Sequence, residues 1–273
     1  MGQHPIRCVS QIAWSADDHP QALERAAAWG VTGIEVAPSL LFHGYEDPFA
    51  PGTEAIRAAR SMFDAFGLTT PSMQALLTGA AGAQMFGSPE ERAALDARIH
   101  QCVALAGALG VPHLVFGSPK QRRTPEGMGT DEAHAIALDT VRAWDSWCQT
   151  EGVSIGLECN PPLYGGNFWT THADLMGFVE TARLPTIGMT LDLGATVLEG
   201  FDAANVLRRM GPKVRHVHWS APSLVPPPTD ADGLAALHLL NAHQTTASLE
   251  MAKAGEGFAT LDTIFAALHS HTW

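Results

Sequence analysis

The sequence predicts an α/β protein built as a closed (β/α)8 TIM barrel, a single domain over residues 1–273. Three observations predict it. Short β-prone apolar runs alternate with helical patterns eight times, with no linker or low-complexity stretch between them. The length of 273 residues is close to the roughly 250 typical of such barrels. The first strand runs into Trp14-Ser15-Ala16-Asp17-Asp18, where an open doubly wound sheet usually carries a glycine-rich phosphate loop.

Ile6 to Trp14 is apolar and β-prone and reads as the first strand. Asp17-Asp18-His19-Pro20 starts a helix striped by Leu23, Ala26, Ala27 and Trp29, and Gly30 stops it. Gly33-Ile34-Glu35-Val36 is the second strand. A long aromatic loop through Phe42, Tyr45 and Phe49 follows, then a helix from about Thr53 to Phe66. Leu68 to Leu76 is the third strand, interrupted by Pro71. Pro89 and Glu90 open a helix that runs to Leu109 and ends at Gly110. His113 to Phe116 is the fourth strand, and its loop reads Gly117-Ser118-Pro119-Lys120-Gln121-Arg122-Arg123. A helix from Asp131 to Cys148 precedes the fifth strand, which ends on Glu158. A helix from about Thr171 to Thr181 leads to the sixth strand, ending on Asp192. A short helix near Ala203 to Met210 leads to the seventh, with His218. Pro226-Pro227-Pro228 stiffens the next loop, and a helix follows near Leu234 to Leu240. The eighth strand ends on Glu250, and a helix from Gly257 to Leu268 closes the chain.

Composition narrows the function. At 46% hydrophobic and 16% charged residues the chain buries a full core and is not disordered. A net charge of −12 repels phosphate backbones, which argues against nucleic acid as a partner but leaves room for small anions held locally. Cys8, Cys102, Cys148 and Cys159 are scattered without a CxxC pair, so no disulfide or thiolate zinc site is expected, and a reducing cytoplasm is the simplest setting. No run approaches the roughly 18 apolar residues of a membrane span, and the N-terminus lacks the order of a signal peptide.

The chemistry is concentrated at strand ends. Ile155-Gly156-Leu157-Glu158 is an apolar run that delivers one carboxylate, and Asn160-Pro161-Pro162 follows at once. A buried unpaired carboxylate costs several kcal/mol, so something must compensate Glu158. Met189-Thr190-Leu191-Asp192, His216-Val217-His218 and Ala247-Ser248-Leu249-Glu250 have the same form. The four ends are roughly 25 to 35 residues apart, one strand-plus-helix unit each, so successive strands aim them at one point. Three carboxylates and an imidazole make a hard site for one divalent metal ion, suited to Mn²⁺, Mg²⁺ or Co²⁺, with Zn²⁺ also compatible. His216 and His218 point to the same side of their strand, and either fits as the ligand; His218 lies nearer the carboxyl end.

Leu157-Glu158-Cys159-Asn160-Pro161-Pro162, Leu191-Asp192-Leu193-Gly194, His216-Val217-His218 and Ser248-Leu249-Glu250-Met251 resemble the xylose-isomerase-like TIM-barrel family, in particular its sugar phosphate isomerase/epimerase branch. The resemblance is specific over residues 154–168 and 187–253. It implies that Glu158, Asp192, His218 and Glu250 bind one divalent ion. It also implies a metal-dependent isomerase or epimerase of a sugar, sugar acid or sugar phosphate, with Glu158 and Glu250 moving the proton. Two departures leave the substrate open. Ala195 stands where the family often has a histidine, and Trp219-Ser220-Ala221-Pro222-Ser223 lacks the arginine of ketose 3-epimerases.

Further candidates surround this set. Lys120, Arg122 and Arg123 leave the fourth strand at the active rim, either to bind a substrate phosphate or carboxylate or as a solvated basic loop; Lys120 is the choice for an anion. Trp14 offers a face for a sugar ring, against ordinary burial. Gln74 offers a hydrogen bond to a substrate hydroxyl, His216 a second imidazole, and Asn160 a support for Glu158. Tyr164 and Asn167 belong to a Gly-rich loop expected to cap the pocket, and Lys253 either reaches the site from beyond the eighth strand or lies on the surface. The expected partner is a small sugar-type molecule, with no nucleic acid and no membrane; a homo-oligomer is left open. The competing readings are a dehydratase on the same scaffold, an apurinic-site endonuclease and a non-catalytic sugar-binding barrel.

Overall fold

The structure is a computed structural model describing residues 4–243 and 245–272. Among the described residues seven parallel strands are formed: β1 (Cys8–Ser10), β2 (Gly33–Glu35), β3 (His113–Phe116), β4 (Ser154–Glu158), β5 (Ile187–Asp192), β6 (Val214–Trp219) and β7 (Thr246–Leu249). They lie in the order β2-β1-β7-β6-β5-β4-β3. The gap between β2 and β3 is closed by the segment 69–73. It bridges Gly33 and Val36 on one side and Leu114 on the other. Ile34 N–H donates to Thr69 O at 2.9 Å, and Val115 N–H donates to Met73 O at 2.8 Å. The expected third strand is therefore a stave held by isolated bridges and not a regular strand. Pro71 has no N–H for the ladder and restricts Thr70 before it.

Helices follow the strands along the chain, and nearly all strand residues are buried. β4 and β5 are buried along their whole length. The first strand is shorter than Ile6 to Trp14, because Ser10 turns the chain into a 3-10 turn at Gln11–Ala13. The helix His19–Trp29 ends where Gly30 takes φ 71°, and the helix Pro89–Leu109 starts on a Ser88–Glu91 capping box. The stretch expected as one helix near Leu234 to Leu240 is two, Ala231–Ala235 and His238–His243. Two short helices come without a sequence expectation, Pro38–Leu41 and Leu193–Glu199. The second matters for the site, since it begins directly at the end of β5.

The barrel interior is unusually polar. His113 shares hydrogen bonds with Ser154 Oγ at 3.0 Å and Thr190 Oγ1 at 3.1 Å. His216 Nε2 meets Ser248 Oγ at 2.9 Å and Ser72 Oγ at 3.3 Å. Gly156 makes this layer fit, because a Cβ there would collide with Thr190 Oγ1 and the His113 ring. Burial lowers the pKa of His113 well below the usual imidazole range and takes that of His216 down to about 4. Both are neutral floor groups beneath the strand ends. No helix among the described residues is long and apolar enough to cross a membrane.

Candidate metal centre and active site

The four strand ends converge. β4, β5, β6 and β7 are consecutive neighbours. Glu158 ends β4 and pairs with Thr190, Asp192 pairs with His218, and His218 pairs with Ser248. Glu250 follows β7, its N–H donating to Trp219 O at 3.0 Å. Parallel pairing at this register sets the four side chains along one arc of the rim. Glu158, Asp192, His218 and Glu250 each offer a donor atom, all within 4.8 Å of one another, and all four residues are buried. His218 Nδ1 is 2.9 Å from Glu158 Oε1 and 3.1 Å from Glu250 Oε2.

The electrostatics fit a cation here. Burial, and then the Glu158 carboxylate, push Asp192 above the usual carboxylate range. Burial pushes Glu250 up to about 7, with Glu158 and Asp192 adding to it against the pull of His218. Burial works against a charged His218, but the Glu250 and Glu35 carboxylates hold its pKa well above the ordinary value. One imidazole thus faces three crowded carboxylates. A divalent ion among them would offset that repulsion, and oxygen-rich donors of this kind suit hard ions.

Each ligand candidate is braced by its surroundings. Asp192 caps the helix Leu193–Glu199, accepting from the Ala195 N–H at 3.0 Å and from the Ser220 hydroxyl. Ala195 contributes only its backbone N–H to this arrangement. Asn160 donates to Glu158 Oε2 at 2.9 Å, which is the support expected of it. Gly117 stands against the same carboxylate, and a Cβ there would also crowd Asn160 Oδ1 at 3.2 Å. Gln74 donates to Ser10 Oγ and to Glu35 Oε2, so it joins the floor beneath His218. His216 lies one layer deeper than His218 and outside the four-residue group.

Several expectations are corrected. Trp14 is only 2% exposed, stacked on His19 at a centroid distance of 6.1 Å and packed against Trp29 and Phe258, so it offers no face to a sugar. Its indole N–H donates to His19 Nδ1 at 3.2 Å. Arg122 is no surface cation. It is fully buried and donates to Gly117 O, Phe168 O, Glu158 O and Asn160 Oδ1. Arg123 donates to Gly165 O at 2.8 Å. Lys253 pairs with Asp18 at 2.9 Å on the surface. Lys120 is exposed, as Arg123 is, and lies along a groove with Leu163, Tyr164 and Gly165. Asn167 exchanges hydrogen bonds with the Thr124 backbone, and Tyr164 Oη accepts from Ser223 N–H at 3.0 Å, linking the loops after β4 and β6.

Glu35 is the residue that the sequence reading passed over. It ends β2, is fully buried, and its Oε1 lies 3.0 Å from His218 Nε2. The signal was present: a carboxylate closing an apolar run, as at Glu158, Asp192 and Glu250. Two further donor groupings lie among the described residues: Glu35, His216 and His218, which shares His218 with the first, and Cys159, His172 and Glu199. In the latter the Glu199 carboxylate is occupied by the backbone N–H and imidazole of His172, which pins a helix start.

A parallel barrel with one hard donor set at the carboxyl ends of four adjacent strands defines the class of protein. The chain belongs to the xylose isomerase-like TIM barrel family, whose model matches residues 23–273. Among solved structures it is similar to a 3-keto-D-glucoside 4-epimerase from E. coli, at TM-score 0.74 and 15% identity over 97% of this chain and 98% of that one. It is similar to a D-psicose 3-epimerase from Clostridium cellulolyticum H10 solved with D-tagatose, at TM-score 0.74 and 16% identity over 96% of each chain. It is also similar to an AP endonuclease, family 2, from Brucella melitensis, at TM-score 0.70 and 16% identity over 93% of this chain and 97% of that one. At these identities the likeness is one of fold. No curated protein sequence matches the chain.

Proposed function

We propose that this protein is a metal-dependent isomerase or epimerase of a sugar, sugar acid or sugar phosphate, working by proton transfer through an enediolate. The observation that supports the reading is the convergence of Glu158 and Glu250 on His218 Nδ1 in one buried donor set. Glu158, Asp192, His218 and Glu250 would hold one Mn²⁺, Mg²⁺ or Co²⁺ ion, with Zn²⁺ also compatible. Such an ion supplies Lewis-acid polarisation of a carbonyl and its neighbouring hydroxyl.

The chain's own groups do the rest. Glu158 and Glu250 leave β4 and β7, which are separated by β5 and β6, so their carboxylates approach a bound substrate from opposite sides. One takes the proton beside the carbonyl. The other, carrying a proton of its own, delivers that proton at the opposite face or the adjacent carbon, which gives epimerisation or isomerisation. Asn160 holds Glu158 and Gln74 holds Glu35, and Lys120, exposed on the loop after β3, is assigned to a substrate phosphate or carboxylate. Sugar epimerases among the similar folds support this choice of substrate class. The net charge of −12 weighs against an endonuclease.

The test is proton exchange from a panel of keto sugars, sugar acids and sugar phosphates in D₂O, run with metal analysis of the purified protein. About one divalent ion per chain and deuterium uptake beside the carbonyl are expected. Gln at position 250 keeps the shape and one oxygen ligand but cannot take a proton. Glu250→Gln should retain the ion and lose about 10² to 10⁴ of the activity. Near-normal turnover by an ion-loaded Glu250→Gln enzyme would sink the two-carboxylate mechanism. Deuterium uptake accompanied by loss of water would move the reading to the dehydratase.

A further inference from the structure

We propose that Glu35 is a positioning residue for His218: it accepts the Nε2 proton and so turns the opposite edge of the imidazole, Nδ1, towards the other three donors. The inference rests on the metal-site reading above. A neutral imidazole carries one N–H and one lone pair, and a ligating nitrogen must present the lone pair. The proton then sits on the other nitrogen and needs an acceptor, because a buried donor left unmet costs about 1–3 kcal/mol. Glu35 Oε1 stands 3.0 Å from Nε2, while Glu158 and Glu250 both approach Nδ1. The two ring edges therefore serve different carboxylates.

The arrangement is built from across the barrel. β6 carries His218, and β7 and β1 lie between it and β2, which carries Glu35, so no local turn creates the contact. Glu35 is fully buried and fixed in turn: Gln74 donates to its Oε2 at 3.3 Å, and Gln74 also donates to Ser10. Below, His216 Nε2 stands 3.6 Å from Glu35 Oε1, and the rings of His216 and His218 meet edge to face at 5.3 Å. Glu35 is absent from the four-residue donor group and forms a three-residue group with His216 and His218, meeting His218 at Nε2, the ring edge away from Glu158 and Glu250. Partners of this kind orient a metal-binding histidine, and their loss typically weakens metal affinity about 10- to 100-fold.

The test uses the full chain, stripped of metal and titrated with Mn²⁺ alone, as wild type, Glu35→Leu and Glu35→Gln. Glu35→Leu removes the acceptor and should weaken Mn²⁺ binding about 10- to 100-fold. Glu35→Gln keeps an oxygen within reach of Nε2 and should recover most of that loss. In the Zn²⁺-loaded wild type, ¹⁵N spectra of the histidines should show His218 protonated on Nε2, with that proton protected from exchange; in Glu35→Leu the protection should be gone. A merely structural role would not set the tautomer. Mn²⁺ affinity within about twofold of wild type in a folded Glu35→Leu chain, or His218 protonated on Nδ1 in the loaded wild type, would overturn the proposal. Should Glu35→Leu fail to fold, the wild-type spectra and Glu35→Gln decide. Normal Mn²⁺ binding without sugar proton exchange would remove the isomerase reading and leave this one standing. A wild type that takes up no ion would remove both.

Discussion

Lys120 and Arg122 are two residues apart in one basic loop and have opposite surroundings. Arg122 is enclosed and spends its donors on carbonyls and Asn160, while Lys120 is exposed along a groove beside Tyr164. In the sequence both are cations after the fourth strand, and nothing local separates them. If Lys120 meets a phosphate or carboxylate, one charge-assisted hydrogen bond is at stake, about 1.5–3 kcal/mol. Lys120→Ala should then raise KM for acidic or phosphorylated substrates roughly 10-fold and leave neutral sugars nearly unchanged. Equal losses for both classes, measured side by side, would remove the anion site. Glu35 shows the reverse case. Its pattern matched the four ligand ends, and its place beneath His218 was set by a strand far away in the chain.

At the scale of elements, Arg122 ties two loops to β4. It bonds the loop after β3 through Gly117 O and the loop after β4 through Phe168 O and Asn160 Oδ1, and Asn160 then holds Glu158. Removing such a buried charge leaves several acceptors unmet and costs on the order of 3–5 kcal/mol. Arg122→Met should therefore lower Tm by roughly 10 °C and also weaken ion binding through a loosened Glu158. Arg123→Ala, which removes only an exposed contact to Gly165 O, should change Tm by no more than about 2 °C. Equal melting of the two variants would show that the buried anchor is dispensable. Helix starts and stops were legible where a cap announces them, as at Ser88 and Gly30. The helix Leu193–Glu199 was not, because Asp192 reads as a strand end and serves as an N-cap as well.

For the whole molecule, the buried histidines make stability depend on acid. Burial takes His19 down to about 4, against an unfolded value near 6.5. Between those values the unfolded chain binds more protons than the folded one. The contribution is therefore fully present above about pH 6.5 and is lost as pH falls towards 4. Burial lowers His4 and His113 in the same sense. Glu250 and Asp192, raised by burial, pull the other way in the acid range, so one residue away from the site isolates the effect. His19→Gln keeps an acceptor for Trp14 and cannot titrate. It should lose several degrees less of Tm between pH 7 and 5 than the wild type does, in thermal melts across that range. Parallel Tm curves for the two proteins would contradict a neutral buried His19.

The sequence by itself determined the alternation of strands and helices, the length of one barrel and the four strand ends that carry Glu158, Asp192, His218 and Glu250. Those features are local: period-two and period-3.6 patterns, caps, and a charged residue closing an apolar run. The tertiary structure decided the rest. It turned Leu68–Leu76 into a bridged stave around Pro71 and buried Trp14 against His19. It enclosed Arg122, left Lys120 outside, and set Glu35 under His218 from across the barrel. Burial and partnership at these positions depend on which distant strand the closed ring brings alongside, and a short stretch of sequence carries no record of that neighbour.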